Sequence, residues 1–236
     1  MAANQSIAKY SRHGSQLMQE QFRIYHQGGL DAYCQFYAIF NLINFLHFKR
    51  TQTVDFLGKS KFKAFLAIRD LPSFKRFFPK KPFGDENGMN ARMLKRALCD
   101  ALETAKLNRK AQIIQIEEDE TVSCDDKKQK AFWLRIGVEK AFDSPHDVLG
   151  LAQVHEEKPD LEIGHCVVLI GKSHLETTKI ELKDWDGIVL DSDRDYVYWK
   201  LNNTDPKKPY IEIARSDEKP LPPIQWISSF ISVSLA

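Results

Sequence analysis

The run from Phe36 to Phe48, FYAIFNLINFLHF, is apolar at nearly every position and contains neither glycine nor proline. With no polar face to show to water, it predicts a helix buried on all sides. A polar, glycine-bearing stretch precedes it, with Gln27, Gly28, Gly29 and Asp31, so the helix opens close to Cys34. Farther on, Phe56, Leu57, Phe62, Phe65, Leu66 and Ile68 recur among lysines in a roughly helical pattern from Val54 to Leu71. Met89, Met93, Leu94, Ala97, Leu98, Ala101 and Leu102 then repeat at three- and four-residue intervals. That spacing predicts an amphipathic helix capped by Asn87 or Asn90, with the methionines filling core and Cys99 buried near the stripe. Ser144-Pro145 has a capping residue and a first-turn proline, which predicts a helix running to about Glu157 with His146 and His155 on its surface.

From Leu161 the pattern changes to short β-branched and aromatic runs: His165–Gly171, Lys179–Trp185, Ile188–Leu190, Tyr196–Leu201, Tyr210–Ala214 and Ile224–Val233. Asp186-Gly187, Asp205-Pro206 and the Pro220–Pro223 cluster separate them. Ala111–Ile116 is a further strand, and Ala131–Phe142 is apolar enough to be buried as either helix or strand. The expected architecture is α+β, a helical part followed by an antiparallel sheet. One domain over residues 1–236 is expected: a polar arm at 1–24, a mainly helical lobe at 25–160 and a mainly β lobe at 161–236.

Composition narrows the classes of function. A chain of 236 residues that is 43% hydrophobic and 28% charged suits one globular domain. A formal net charge of +2 sets up no global field to recruit nucleic acid or an acidic membrane. Local basic-aromatic interleaving at Ser73–Gly88 could stack single-stranded nucleic acid, but an amphipathic turn with snorkelling lysines accounts for it more simply. The acidic stretch Glu117–Lys130 lacks the Asp/Asn/Gly spacing of a calcium loop and reads as a solvated loop. Four cysteines, Cys34, Cys99, Cys124 and Cys166, show neither zinc spacing nor a disulfide framework, which favours a reducing compartment. No signal core or membrane-length apolar run is present. The expected location is the cytoplasm, with export by a specialised secretion system left open.

Chemistry concentrates at two places. A thiol at the first turn of a helix meets the positive end of the helix dipole, which favours the nucleophilic thiolate; that is Cys34. His165 opens the run GHCVVLIGKSHLETTKIELKDWDG, and a hairpin turning near Glu176 brings Asp184 back to face it at the open end. Asp191, in IVLDSD, is the rival carboxylate, reachable if Ile188–Leu190 lies beside the histidine strand. Strand alternation sends Cys166 to the opposite face from His165, into the core with Val168 and Ile170. The bland alternative makes Cys34 a small packing group and His165 a satisfied core histidine.

A glutamine shortly before a cysteine that starts a buried helix, followed much later by a His-Val-Val type of strand and a hairpin partner ending in Asp or Asn, resembles the papain-like cysteine peptidase superfamily. Its Asp-containing members, such as bacteriocin-processing peptidases and some secreted bacterial effector proteases, are the nearest in pattern. The resemblance rests on about a fifth of the chain. It implies a papain-like fold, in which a helical lobe with a central buried helix packs against an antiparallel sheet. It further implies Cys34 as nucleophile, His165 as general base and acid, Asp184 as orienting carboxylate and Gln27 as oxyanion-hole donor, with a protein or peptide substrate and neither cofactor nor metal. Gln35 and Phe36 follow the cysteine where many relatives have Gly or Trp, and Gln27 lies seven positions upstream of it. A non-proteolytic acyl transferase or deamidase, a ubiquitin-like-tag hydrolase and a non-catalytic binding or scaffold protein are the competing functions. Oligomeric state is left open.

Overall fold

The computed structural model describes residues 34–52, 70–72, 91–107, 109–113, 142, 144–158, 161–176, 178, 180, 182, 184–191, 196–202, 210–215 and 225–235. Its elements in order are helix α1 (Cys34–Thr51), helix α2 (Ala91–Thr104), β1 (Arg109–Ile113), β2 (Leu149–Lys158), β3 (Leu161–Gly171), β4 (Gly187–Leu190), β5 (Tyr196–Asn202), β6 (Tyr210–Arg215) and β7 (Gln225–Leu235). The architecture is α+β, with the described strands in one antiparallel sheet of order β1-β7-β2-β3-β4-β5-β6. Strand β7 also pairs with β6, Tyr210 against Trp226 and Ile211 against Gln225. The sheet therefore closes on itself as a six-stranded barrel, and β1 is appended to the far end of β7.

Strands β2, β3, β4 and β7 have two apolar faces because each meets a different core on either side. Ala152, Val154, Val167, Leu169, Val189, Trp199, Ile211, Ile213, Ile227 and Phe230 fill the interior. Phe142 joins them, edge-on to Trp199 and tilted against Phe230. Leu149, Leu151, Cys166, Val168, Ile170, Ile188, Leu190, Ile231 and Val233 point outward, where α1 and α2 pack over them. Helix α1 is buried almost all round, including Phe36, Ile39, Phe40, Ile43 and Phe45, as its uninterrupted apolar run requires. Its last turn carries Lys49 and Arg50, the charge sign that suits a helix C-terminus.

Four expectations are corrected. Residues 149–158 form strand β2, not a helix: Leu149 and Leu151 face one core while Ala152 and Val154 face the other, a period of two that no helix can satisfy. Ser144 gives its hydroxyl to Asp147 Oδ2 at 2.6 Å, and only a 3-10 turn (Pro145–Asp147) forms there. On α2 the buried stripe is Ala91, Leu94, Ala97, Leu98, Ala101 and Leu102, while Met93 is 41% exposed and Cys99 is exposed. At about 100° per residue, both fall well off the centre of that stripe. The sheet also draws β2 from the part expected to be mainly helical, whereas β1 overlaps the strand expected at Ala111–Ile116. The fourth correction, to the hairpin that follows His165, belongs with the site. The arm at 1–24, the Val54–Leu71 and Ser73–Gly88 segments except 70–72, and the Glu117–Lys130 loop with Cys124 lie outside the described residues.

Candidate active site

Cys34 is the first residue of α1 and packs half-buried against the core that joins helix to sheet. The other end of α1 is fixed by Lys49, whose Nζ lies 3.1 Å from His174 Nδ1 just beyond the end of β3. The helix therefore runs alongside β3 in the same direction, and its N-terminus comes level with His165 and Cys166. Cys34 lies close enough to His165 to help hold its imidazole protonated. His165 Nε2 lies 2.7 Å from Asp191 Oδ1, with the imidazole 15% and the carboxylate 1% exposed. A carboxylate oxygen accepts, so Nε2 donates to Asp191, and Nδ1 is the nitrogen left for the sulfur.

The register explains why Asp191 is the partner. Strand β4 pairs with β3 from Gly171 opposite Gly187 to Val168 opposite Leu190. Continued by one residue, the ladder sets Asp191 opposite Val167, on the face that His165 also occupies two residues farther along. Diagonal neighbours of this kind lie within reach of long side chains. The expected partner Asp184 sits instead in an exposed turn ahead of β4.

The expected hairpin strand at Lys179–Trp185 is absent among the described residues, and its apolar positions have another use. Ile180 packs against the helix-facing core and Leu182 is buried in it, so an irregular segment carries the alternate apolar spacing of a strand; Leu175, in the 3-10 turn before it, is buried there too. Asp186 does not turn the chain back on itself. Its N–H donates to Trp199 O at 3.0 Å and its Oδ2 accepts from Leu201 N at 2.8 Å, tying the start of β4 to β5. Gly187 allows the close approach: a Cβ there would lie 1.9 Å from Ile170 O and 2.6 Å from Trp199 Nε1.

Burial pulls the His165 imidazole toward the neutral form, yet the hydrogen bonds and negative charges of Asp191 and Cys34 outweigh it and hold the pKa up to about 10. At neutral pH the ring is thus protonated and sets a positive charge against the sulfur. Cys166 is the opposite case. Burial, reinforced by the charges of Cys34 and Asp191, pushes its thiol well up, so it stays protonated and inert. The expected core position of Cys166 agrees with its place among Val168 and Ile170. Gln27 lies outside the described residues. Among the described residues no group of three or more His, Cys, Asp or Glu side chains is placed to hold a metal ion, and no described helix is long and apolar enough to cross a membrane.

No family model, curated protein or solved structure matches the chain. Its function is argued from the site alone. What the site gathers is a helix-start thiol beside an imidazole that is hydrogen-bonded to a buried carboxylate. Such a set can hold a thiolate and return a proton to a leaving group.

Proposed function

We propose that the protein is a papain-like thiol hydrolase, a cysteine peptidase acting through a covalent thioester on Cys34. The observation that carries this reading is His165 held between a buried Asp191 carboxylate at 2.7 Å and the thiol that opens α1. A closed barrel packed against a buried helix that bears the thiol also supports it.

In this mechanism His165 holds the Cys34 proton and the thiolate attacks a substrate carbonyl carbon, forming the C–S bond as the carbonyl π electrons move to oxygen. Backbone N–H groups at the start of α1 and the Gln27 amide are the proposed donors to that oxyanion; losing one such donor typically costs about 2.7 to 4 kcal/mol of transition-state stabilisation. Collapse of the tetrahedral species breaks the C–N bond, and the imidazolium gives its proton to the departing amine. Water, deprotonated by His165, then attacks the thioester, releasing the acid and restoring the thiol. Asp191 keeps Nε2 protonated and the ring correctly turned throughout.

The test is to incubate cell protein extract with the wild type or with Cys34→Ala and to identify new N-termini by mass spectrometry. Termini that appear only with the wild type are expected. Identical termini in both samples overturn the peptidase reading.

A further inference from the structure

Helix α1 carries its thiol at one end, and a second set of polar groups converges at the other, roughly 22 Å away at 1.5 Å per residue. Lys49 lies in the last turn of α1, His174 in the 3-10 turn (Lys172–Leu175) that follows β3, and Arg109 opens β1. Arg50 ties the same helix end to the link into β1, donating to Lys106 O at 2.7 Å. Gly171 N donates to Val148 O at 2.6 Å, which holds the end of β3 against the start of β2.

The protons of this cluster can be placed. An ammonium only donates, so Lys49 Nζ donates to His174 Nδ1 at 3.1 Å; a carbonyl only accepts, so His174 Nε2 donates to Asp147 O at 3.0 Å. His174 is therefore a neutral imidazole. Burial holds its pKa down, and the positive charges of Lys49 and Arg109 act in the same direction, against the pull of Asp147. The Asp147 carboxylate is itself occupied, accepting from the Ser144 hydroxyl at 2.6 Å. Burial and the charge of Arg109 also lower the pKa of Lys49, opposed by the exposed carboxylate of Glu176. Arg109 is half-buried, burial alone acts on its guanidinium, and among the described residues no carboxylate accepts from its five N–H donors. Like charges brought together and partly removed from water are characteristic of functional sites.

We propose that Lys49, Arg109 and His174 form a binding site for a tetrahedral dianion, a phosphate or sulfate group, at the end of α1 away from the thiol. The site does not depend on the thiol hydrolase reading. The planar fork of Arg109 suits two oxygens of such a group, and Lys49 brings a point charge to a third. As Lys49 turns from the imidazole to the anion, His174 Nδ1 is released and takes up a proton, which adds a third positive charge. Binding is thus linked to proton uptake, and affinity rises as pH falls below about 6.5, the ordinary imidazole value.

Titration calorimetry of the full chain with sodium sulfate, a dianion throughout the range, at pH 7.5 and 5.5 and at an ionic strength kept constant with chloride, tests the site. Sulfate is expected to bind the wild type at both pH values and more tightly at pH 5.5. Arg109→Gln and Lys49→Met should each weaken binding about tenfold or more, the loss of one charge-assisted hydrogen bond, and either serves if the other does not fold by circular dichroism. His174→Gln should still bind at pH 7.5 but show no gain at pH 5.5. Lys172→Gln, which removes an exposed cation of the same turn, should change neither. Inorganic phosphate and glycerol 3-phosphate, titrated at pH 7.5, are both expected to bind: tighter phosphate assigns the site to the free ion, and tighter glycerol 3-phosphate to a phosphate ester. Absence of sulfate binding by the wild type overturns the site, as does equal binding by the wild type and the folded Arg109 or Lys49 variant. An equally large loss in Lys172→Gln overturns it too, since that marks only general attraction to a basic surface.

Discussion

Asp184 and Asp191 are both carboxylates that follow His165 in the chain, yet one is an exposed turn residue and the other is 1% exposed against the imidazole. Loss of an orienting carboxylate permits the wrong tautomer and costs up to about ten-thousand-fold in turnover in the serine-protease precedent. Asp191→Asn is therefore expected to reduce turnover by orders of magnitude and Asp184→Asn to change it little, as measured on any substrate found by N-terminal mass spectrometry. The same carboxylate makes a prediction about stability. The folded pKa of His165 is raised from 6.5 to about 10, so the stabilisation it gives is fully present below 6.5 and is lost as pH climbs through 10. Thermal melting of wild type and Asp191→Asn between pH 5.5 and 10.5 should show the widest gap at the acid end and a narrowing gap above it; a constant gap contradicts the assigned pairing. The helix start at Cys34 was legible in the sequence, and so was the strand that carries His165, although β3 begins at Leu161 and not at the histidine. Asp184 was misread because Ile180 and Leu182 have the spacing of a strand while serving as core contacts of an irregular segment.

Among the elements, β4 is short but determines the site, because its ladder with β3 delivers Asp191 four residues after Gly187. A methyl group at Gly187 cannot be accommodated by side-chain movement, since the nearest atom is the Ile170 carbonyl oxygen. Gly187→Ala should therefore lower stability by about 1–3 kcal/mol or more and shift Asp191 away from His165. Chemical denaturation measures the first effect, and a fall in Cys34 alkylation below neutral pH measures the second. Near-normal stability would mean that β4 does not lie as close to β3 as described. Helix α1 was readable from sequence because only a buried helix tolerates so long an apolar run. Strand β2 was not, because Ser144-Pro145 imitates a helix start and the residues that follow alternate between two cores that exist only once the barrel is closed.

At the scale of the whole molecule, the core beneath α1 joins both helices to the barrel without a break. Phe40 is 0% exposed within it, so Phe40→Ala should cost about 3–5 kcal/mol. Because the core is shared, helix and barrel should be lost together, with far-ultraviolet circular dichroism and tryptophan fluorescence giving coincident midpoints in wild type and variant alike. Separate midpoints would show two independently stable lobes. The α+β class was legible from the change of texture along the chain, but closure of the sheet was not, since pairing between β6 and β7 leaves no local mark in either strand.

Closure through β7 also sets the order in which the molecule can assemble. Arg109 pairs with Leu235, and β2 lies against Gln225–Ser232, so the ladders that complete the barrel join parts of the chain far apart in sequence. Such contacts form slowly, because chain entropy is lost before they return any energy. Helix α1 needs only local hydrogen bonds to begin forming, whereas its thiol needs the imidazole held on a finished sheet. After dilution from denaturant, helical signal should therefore recover first and rapid alkylation of Cys34 last, leaving the nascent protein chemically silent until its barrel has shut.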